Sequence, residues 1–243
     1  MSDIGYYIII MERKIKFASG EYYHIYSRTI LNIPEFKNHK HAEKLAHAFL
    51  IANSTKSSEA FQFLRNSKKP KIEEILNILK DGERLVDILC YSVMPDHYHL
   101  LLKQQRENGI TDFIRRCNTS IAKYINTKNE RKGPLFESNF KSKHVDTNEY
   151  LLHLSLYIHL NPLDFMVGKK WRNHDIKNWN IAKEKLLHYP WSSIKSFLQN
   201  YDDPIISGIK IITKQFKHKK DYEQFLQEWS ENSLKSIENI LID

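Results

Sequence analysis

Cysteine is nearly absent from this sequence. Cys90 and Cys117 are the only two in 243 residues, and neither has a partner at CxxC spacing, which excludes a disulfide framework and a cysteine-based zinc site. Long hydrophobic runs are missing as well. The longest near the amino terminus, "IGYYIIIM" from Ile4 to Met11, falls far short of the roughly 17 residues that span a bilayer. No basic residue precedes it and no small-residue cleavage pattern follows it, so a secretory signal does not fit. There is no GxxxxGK[ST] phosphate loop, no internal repeat and no low-complexity tract. These absences leave a reduced, cytoplasmic protein with no membrane partner as the expectation.

What is present is an ordinary globular composition with a basic excess. Hydrophobic residues make up 41% and charged residues 27%, enough to bury a core and too apolar for a disordered chain. Lys and Arg number 37 against 29 Asp and Glu, a net charge of +8, which points to a polyanionic partner without choosing between nucleic acid and an anionic surface.

Periodicity outlines the elements. "EYYHIYSRTI", Glu21 to Ile30, is rich in aromatic and β-branched residues, as a strand is. Ala42, Leu45, Ala46, Phe49 and Leu50 follow at helical spacing. "LVDILCYSVMP" and "DHYHLLLKQ" read as two strands joined by a tight Pro-Asp connection. Ile110, Phe113, Ile114, Cys117, Ile121, Tyr124 and Ile125 form one helical face. "GPLFESNFKSKHV" reads as loop and fourth strand. Asp146 and Glu149 resemble a capping box that opens a further helix, which Pro162 stops. The order β-α-β-β-α-β is the split βαβ arrangement. Beyond Phe165 the pattern weakens into basic, aromatic and turn residues, with one or two helices expected over the last thirty or so residues.

Two constellations carry chemistry. Residues i and i+2 of a strand share a face, so His97 and His99 present two imidazoles side by side while Tyr98 faces away. Neutral imidazole binds divalent metals well, although a chain with 12 histidines also yields such a pair as plain solvent or core residues. Tyr157 and Asn161 stand four apart on one helical face, with His153 one turn earlier. A tyrosine beside a metal can act as a nucleophile and an asparagine can supply an oxygen ligand; a core tyrosine bonded to Asn161 is the plain alternative. Because the residue before a proline is pushed out of α geometry, the alignment of Asn161 with Tyr157 is expected to be approximate. Tyr124 and Tyr150 are the other candidate nucleophiles.

The motifs "YSVMPDHYHLLLK", "GPLFESNFKSKHV" and "YLLHLSLYIHLNP", flanked by "YYHIYSRT" and "PWSSIKSFL", resemble in order those of the single-tyrosine HUH transposases, and within them the REP-associated tyrosine transposases. The resemblance covers Glu21 to about Leu198. It implies an α+β, ferredoxin-like HUH endonuclease fold: a central antiparallel sheet with helices on one face and a C-terminal helical extension. It also implies three parts to the chain. Residues 1–20 are an N-terminal extension, with Met11 as the expected start codon; residues 21–168 are the nuclease core; residues 169–243 are an extension that packs on the core or contacts DNA.

Carried over by position, the resemblance makes His97, His99 and Asn161 ligands of Mg²⁺ or Mn²⁺ and Tyr157 the nucleophile that cleaves and rejoins single-stranded DNA. Hairpin-bearing single strands are the implied partner, a monomer the implied state with a homodimer as the alternative, and the cytoplasmic nucleoid the implied location. Asp96 departs from the Asn usual before the first histidine; it is read as an outward turn residue, the alternative being a contribution to the metal site. From Lys103 to Arg172 there are 13 Lys and Arg against 7 Asp and Glu, so most of the net charge surrounds the proposed site. Arg115, Arg116, Lys123, Arg131, Lys132, Lys141 and Lys143 are the expected phosphate contacts, and Trp171, Trp179 and Trp191 are stacking or core groups. Two rivals remain: a catalytically inactive HUH fold that binds nucleic-acid hairpins, and a zinc phosphodiesterase that uses activated water and no tyrosine.

Overall fold

The structure, a computed structural model, describes residues 16–173 and 175–231. Most of the expected N-terminal extension, including Met11, and the end of the expected C-terminal extension lie outside the described residues.

Four strands form one antiparallel sheet: β1 (Tyr22–Arg28), β2 (Val86–Val93), β3 (His97–Gln104) and β4 (Lys141–Val145), in the spatial order β2-β3-β1-β4. Between β1 and β2 lie α1 (His39–Ala52), α2 (Ser57–Asn66) and α3 (Ile72–Leu79); α4 (Gly109–Lys128) connects β3 to β4. After β4 come α5 (Asn148–Leu160), α6 (Leu163–Met166), α7 (Trp179–His188), α8 (Ile194–Leu198), α9 (Ile209–Thr213) and α10 (Lys219–Glu231), with a 3₁₀ turn at Lys169–Asn173. This is the split βαβ order with helices appended, an α+β fold of ferredoxin-like topology.

Strand alternation sorts the side chains onto two unlike faces. Tyr23 and Ile25 of β1 and Tyr98, Leu100 and Leu102 of β3 enter a core with Phe49 of α1 and Phe113, Ile114 and Cys117 of α4. Tyr98 is fully buried, packs edge-on against Phe49, and donates to Asn118 Oδ1 at 2.8 Å. The hydrogen bond matters because a buried hydroxyl left without a partner costs about 1–3 kcal/mol.

The other face of the sheet is covered too. Leu101 of β3 and Cys90 of β2 pack with Leu154, Tyr157 and Ile158 of α5 and with Trp171, Phe197, Tyr222 and Leu226 from the later segments. Helices on one face alone therefore describes the pair α1 and α4 of the βαββαβ unit; α5 and the appended helices form a third layer behind the sheet. The reason lies in α5 itself, which is buried on nearly every side from Tyr150 to Leu160. A helix that is apolar all round must be packed all round, and the extension from Lys169 onward supplies the second contact.

Two local readings change. The N-cap of α5 is Thr147, whose side chain accepts from Tyr150 N at 3.1 Å, rather than Asp146. Pro162 does not displace its neighbour: Asn161 has φ −50° and ψ −40° and donates its backbone N–H to Tyr157 O at 3.0 Å. Proline itself sits at the N-cap of α6, where its fixed φ suits a helix start and its missing N–H costs nothing. Asn161 is therefore in true helical register with Tyr157.

Candidate active site

The site lies on the sheet face that α5 covers. His97 and His99 point the same way from β3, their ring centroids 4.9 Å apart and their planes nearly perpendicular. The strand pairing places Arg28 of β1 opposite His97, and Tyr26 opposite His99. Each histidine is held through Nδ1. His97 Nδ1 lies 2.7 Å from Asp96 Oδ1, and His99 Nδ1 lies 2.9 Å from His24 Nε2 on the neighbouring strand. Engaging Nδ1 fixes the ring and reserves Nε2 for a ligand, the arrangement in which metal-binding histidines are usually oriented. His99 is only 1% exposed, and its Nε2 is buried without a hydrogen-bond partner.

Asp96 is thus more than a turn residue. Its carbonyl accepts from Thr29 N at 2.8 Å and from Thr29 Oγ1 at 2.9 Å, which secures the turn, while its carboxylate bonds His97. The preference for an outward turn side chain is corrected accordingly. Burial alone would raise the Asp96 pKa, but the hydrogen bond and charge of His97, with Arg28 nearby, take it below the ordinary carboxylate value. Burial drives the His99 pKa well down, and the charges of His97, His24, Arg172 and Arg28 add to the fall. His99 is accordingly a neutral imidazole, the form that can ligate a cation.

Helix α5 brings the remaining groups. The Tyr157 ring stands 5.5 Å from His99 and 6.3 Å from His24, edge-on to both. One turn on, Asn161 is fully buried; its Oδ1 accepts from Arg172 Nη2 at 3.1 Å, and its Nδ2 has no hydrogen-bond partner. Arg172 comes from the 3₁₀ turn and is fixed by Asp164 through Nε at 3.1 and 3.2 Å and through Nη2 at 2.8 Å. It also lies over Tyr157, with its guanidinium carbon 5.3 Å from the Tyr157 ring centroid. Burial alone would lower its pKa, but the bonds to Asp164 and Tyr157 raise it above the ordinary guanidinium value.

The expected site residues thus divide. His97, His99 and Tyr157 converge, and Asn161, one turn beyond Tyr157 on the same helix, is tied to the site by Arg172. Lys141 and Lys143 of β4 share their face, Lys141 opposite Tyr26 and Lys143 opposite His24, with their ammonium groups 5.8 Å from the Tyr26 ring and 5.2 Å from the Tyr150 ring. The other five basic residues do not join them. Arg115, Arg116 and Lys123 are on α4, on the opposite side of the sheet, and Arg131 and Lys132 are in the loop that follows. Arg115 pairs with Asp112, Arg116 donates to Ser54 O and Ser57 Oγ, and Arg131 pairs with Glu35.

Among the aromatic candidates, Trp171 and Trp179 are core residues, and Trp191 packs against the α1–α4 core. His153 packs against Phe225 of α10, and Tyr124 lies against His41 on the α1–α4 side. Tyr150 is buried on the site face beside Lys143. The sequence reading missed His24 and Arg172. Alternation gives His24 a face, but only the β1–β3 register brings it to His99; Arg172 lies where periodicity fades, and nothing in spacing ties it to Tyr157.

The fold and the site define an α+β protein of ferredoxin-like topology in which two imidazoles from a central strand face a phenol and an amide from the covering helix. Residues 50–161 match the family described as transposase IS200 like, and the matched stretch holds His97, His99, Tyr157 and Asn161. His24 and Arg172 come from outside it. No curated protein matches the chain. Among solved structures the chain is similar to one described as "Structure of the REP associates tyrosine transposase bound to a REP hairpin", with 11% identity, 81% of this chain and 91% of that chain covered, and a TM-score of 0.48. No described helix is long and apolar enough to cross a membrane.

Proposed function

We propose that this protein is a transposase, a metal-dependent endonuclease and strand transferase of single-stranded, hairpin-bearing DNA that works through a 5′-phosphotyrosine on Tyr157. The observation that carries the reading is the convergence of the Tyr157 phenol with two histidines whose Nδ1 atoms are both engaged and whose Nε2 atoms are thereby reserved.

The donors fit a divalent cation such as Mg²⁺ or Mn²⁺. His97 and His99 would hold it through Nε2, and the buried His99 Nε2, which has no hydrogen-bond partner, is available to such a ligand. Asn161 Oδ1 would be the third donor; an amide oxygen has two lone pairs, so acceptance from Arg172 leaves one. When bound, the cation would polarise the scissile phosphate and stabilise the charge that develops on it.

The chain's own groups then do the following. Tyr157 Oη forms a bond to phosphorus as the bond to the 3′ oxygen breaks, and the phenol proton is replaced overall by one on the departing 3′-OH. Reversal by another 3′-OH rejoins strands, so the bond energy is kept and no nucleotide triphosphate is required. Asp96 and His24 keep the imidazoles aimed. Lys141 and Lys143, beside Tyr26 and Tyr150, supply phosphate and stacking contacts along β4, whereas the basic residues of α4 face away from the site. The protein acts as a monomer, with Tyr157 serving the histidines of its own chain.

Incubation with Mn²⁺ and single-stranded DNA from the flanks of the gene, followed by a denaturing gel, tests this. A covalent protein–DNA adduct is expected. Cleavage without an adduct would favour a water-activating phosphodiesterase, and binding without cleavage an inactive hairpin-binding fold.

A further inference from the structure

The geometry points to Arg172 as a catalytic group of this site, one that holds the Tyr157 hydroxyl for attack and takes up the charge on that oxygen when strands are rejoined. The inference rests on the strand-transferase reading and adds a residue to it.

Four observations support the assignment. First, the guanidinium lies over the ring that carries the reacting atom, its carbon 5.3 Å from the Tyr157 centroid, and the Tyr157 hydroxyl helps to hold its proton. Second, the same group donates to Asn161 Oδ1 at 3.1 Å, so one planar fork ties together two side chains a helical turn apart. Third, Arg172 is not free to swing. Asp164 grips it through Nε and Nη2, and the adjacent Trp171 is fully buried with its indole N–H donating to Asp164 Oδ1 at 2.5 Å. Fourth, the site is largely closed to water, with Tyr157 2% exposed and the Arg172 side chain 18% exposed. A charge fixed in advance in such a place interacts with a developing oxyanion far more strongly than it would in bulk water.

The chemistry identifies the step. In rejoining, a 3′-OH oxygen forms a bond to phosphorus, the P–Oη bond to Tyr157 breaks, and the electron pair of that bond goes to Oη. The proton released by the 3′-OH ends on the tyrosine, so the exchange balances without a further reactant. A phenol buried among aromatic rings is a poor place to leave negative charge; a guanidinium already fixed beside that ring removes the difficulty. Asp164 offsets much of the cation when the site is at rest, which is how a buried arginine is tolerated beside two histidines. Lysine cannot reproduce the arrangement, because its single ammonium lacks the planar fork that reaches Asp164, Asn161 and Tyr157 together.

The test uses the full chain as wild type, Arg172→Lys and Arg172→Met, with Mn²⁺ and fluorescent single-stranded oligonucleotides from the gene's flanks. Loss of a fixed donor to a reacting oxygen typically slows the step by about 10²-fold or more. That fall is expected in the adduct-forming and rejoining rates of Arg172→Met, with DNA affinity by anisotropy unchanged and Arg172→Lys restoring part of the rate. A wild-type rate in Arg172→Met, or a loss that follows weaker DNA binding alone, would overturn the proposal. A second measurement needs no activity. In protein labelled with ¹³Cζ-tyrosine, the Tyr157 signal, assigned by its loss in Tyr157→Phe, is expected to shift in Arg172→Met while the other tyrosines hold. An unmoved signal overturns the contact. If wild type forms no adduct while this shift appears, it is the strand-transferase reading that has failed, not the grip of Arg172 on Tyr157.

Discussion

The carboxylate of Asp96 lies 2.7 Å from Nδ1 of His97, its immediate neighbour in sequence. Adjacent residues of a regular strand point to opposite faces; the contact exists because Asp96 still belongs to the turn, where two bonds from Thr29 to its carbonyl set its direction. Removing such an outer partner typically costs 10- to 100-fold in metal affinity. Asp96→Asn is expected to weaken Mn²⁺ binding by about that factor, read by calorimetry on the protein alone. His97→Ala should abolish binding. An Asp96→Asn protein with undiminished affinity would show that the carboxylate does not act on the ring.

Tyr157→Phe removes the oxygen proposed to attack and leaves the ring in its place against His99, His24 and Trp171. The adduct is expected to vanish from a denaturing gel while binding to single-stranded DNA persists. Adduct of normal yield in this variant would transfer the nucleophile to another residue, with Tyr150, buried on the same face, the first to examine.

The two sides of the sheet are expected to respond differently to salt. Each phosphate contact on a single strand contributes about 0.7 to the slope of log affinity against log salt. Lys141→Ala with Lys143→Ala should therefore reduce that slope by somewhat over one unit, while Arg115→Ala with Lys123→Ala should leave it unchanged. Fluorescence anisotropy between low and moderate salt distinguishes the two pairs.

Acid should destabilise the protein through His159. This residue is fully buried, with Nδ1 2.7 Å from Tyr222 Oη and Nε2 2.8 Å from Ser193 Oγ, and burial lowers its pKa from 6.5 to about 3. Above pH 6.5 neither state is protonated and the contribution is constant. Below it the unfolded chain takes up a proton that the folded chain refuses, so stability falls by about 1.4 kcal/mol per pH unit down to the folded value. Between pH 7 and pH 5 wild type should lose about 2 kcal/mol more than His159→Gln, measured by urea unfolding. Equal losses in the two proteins would show that His159 does not carry the effect.

Much of this site is written locally. The i, i+2 spacing of His97 and His99 fixes a shared face because strand geometry leaves no choice, and the four-residue spacing of Tyr157 and Asn161 does the same on a helix. What brings them together is not local. His24 meets His99 only because β1 lies between β3 and β4, a pairing decided by which surfaces bury best. Basic residues were the least legible part. The charge excess between Lys103 and Arg172 is a fact of the sequence, yet five of the seven chosen residues lie on α4 or in the loop after it, because a count along the chain cannot tell one side of a sheet from the other. At Asn161 a general steric rule gave way to packing: the residue is fully buried and keeps α geometry before Pro162.

The central place of β1 also affects how the protein is made. Its partners β3 and β4 lie far downstream, and Arg172 lies further still. During synthesis β1 emerges first and has nothing to pair with until β3 appears, and long-range pairing of this kind is slow to form. Tyr157 meets His24 and Arg172 only after the ribosome has passed the 3₁₀ turn. A chain interrupted before that point carries the histidines and Tyr157 without Arg172, so an incomplete product would present the tyrosine with no guanidinium beside it.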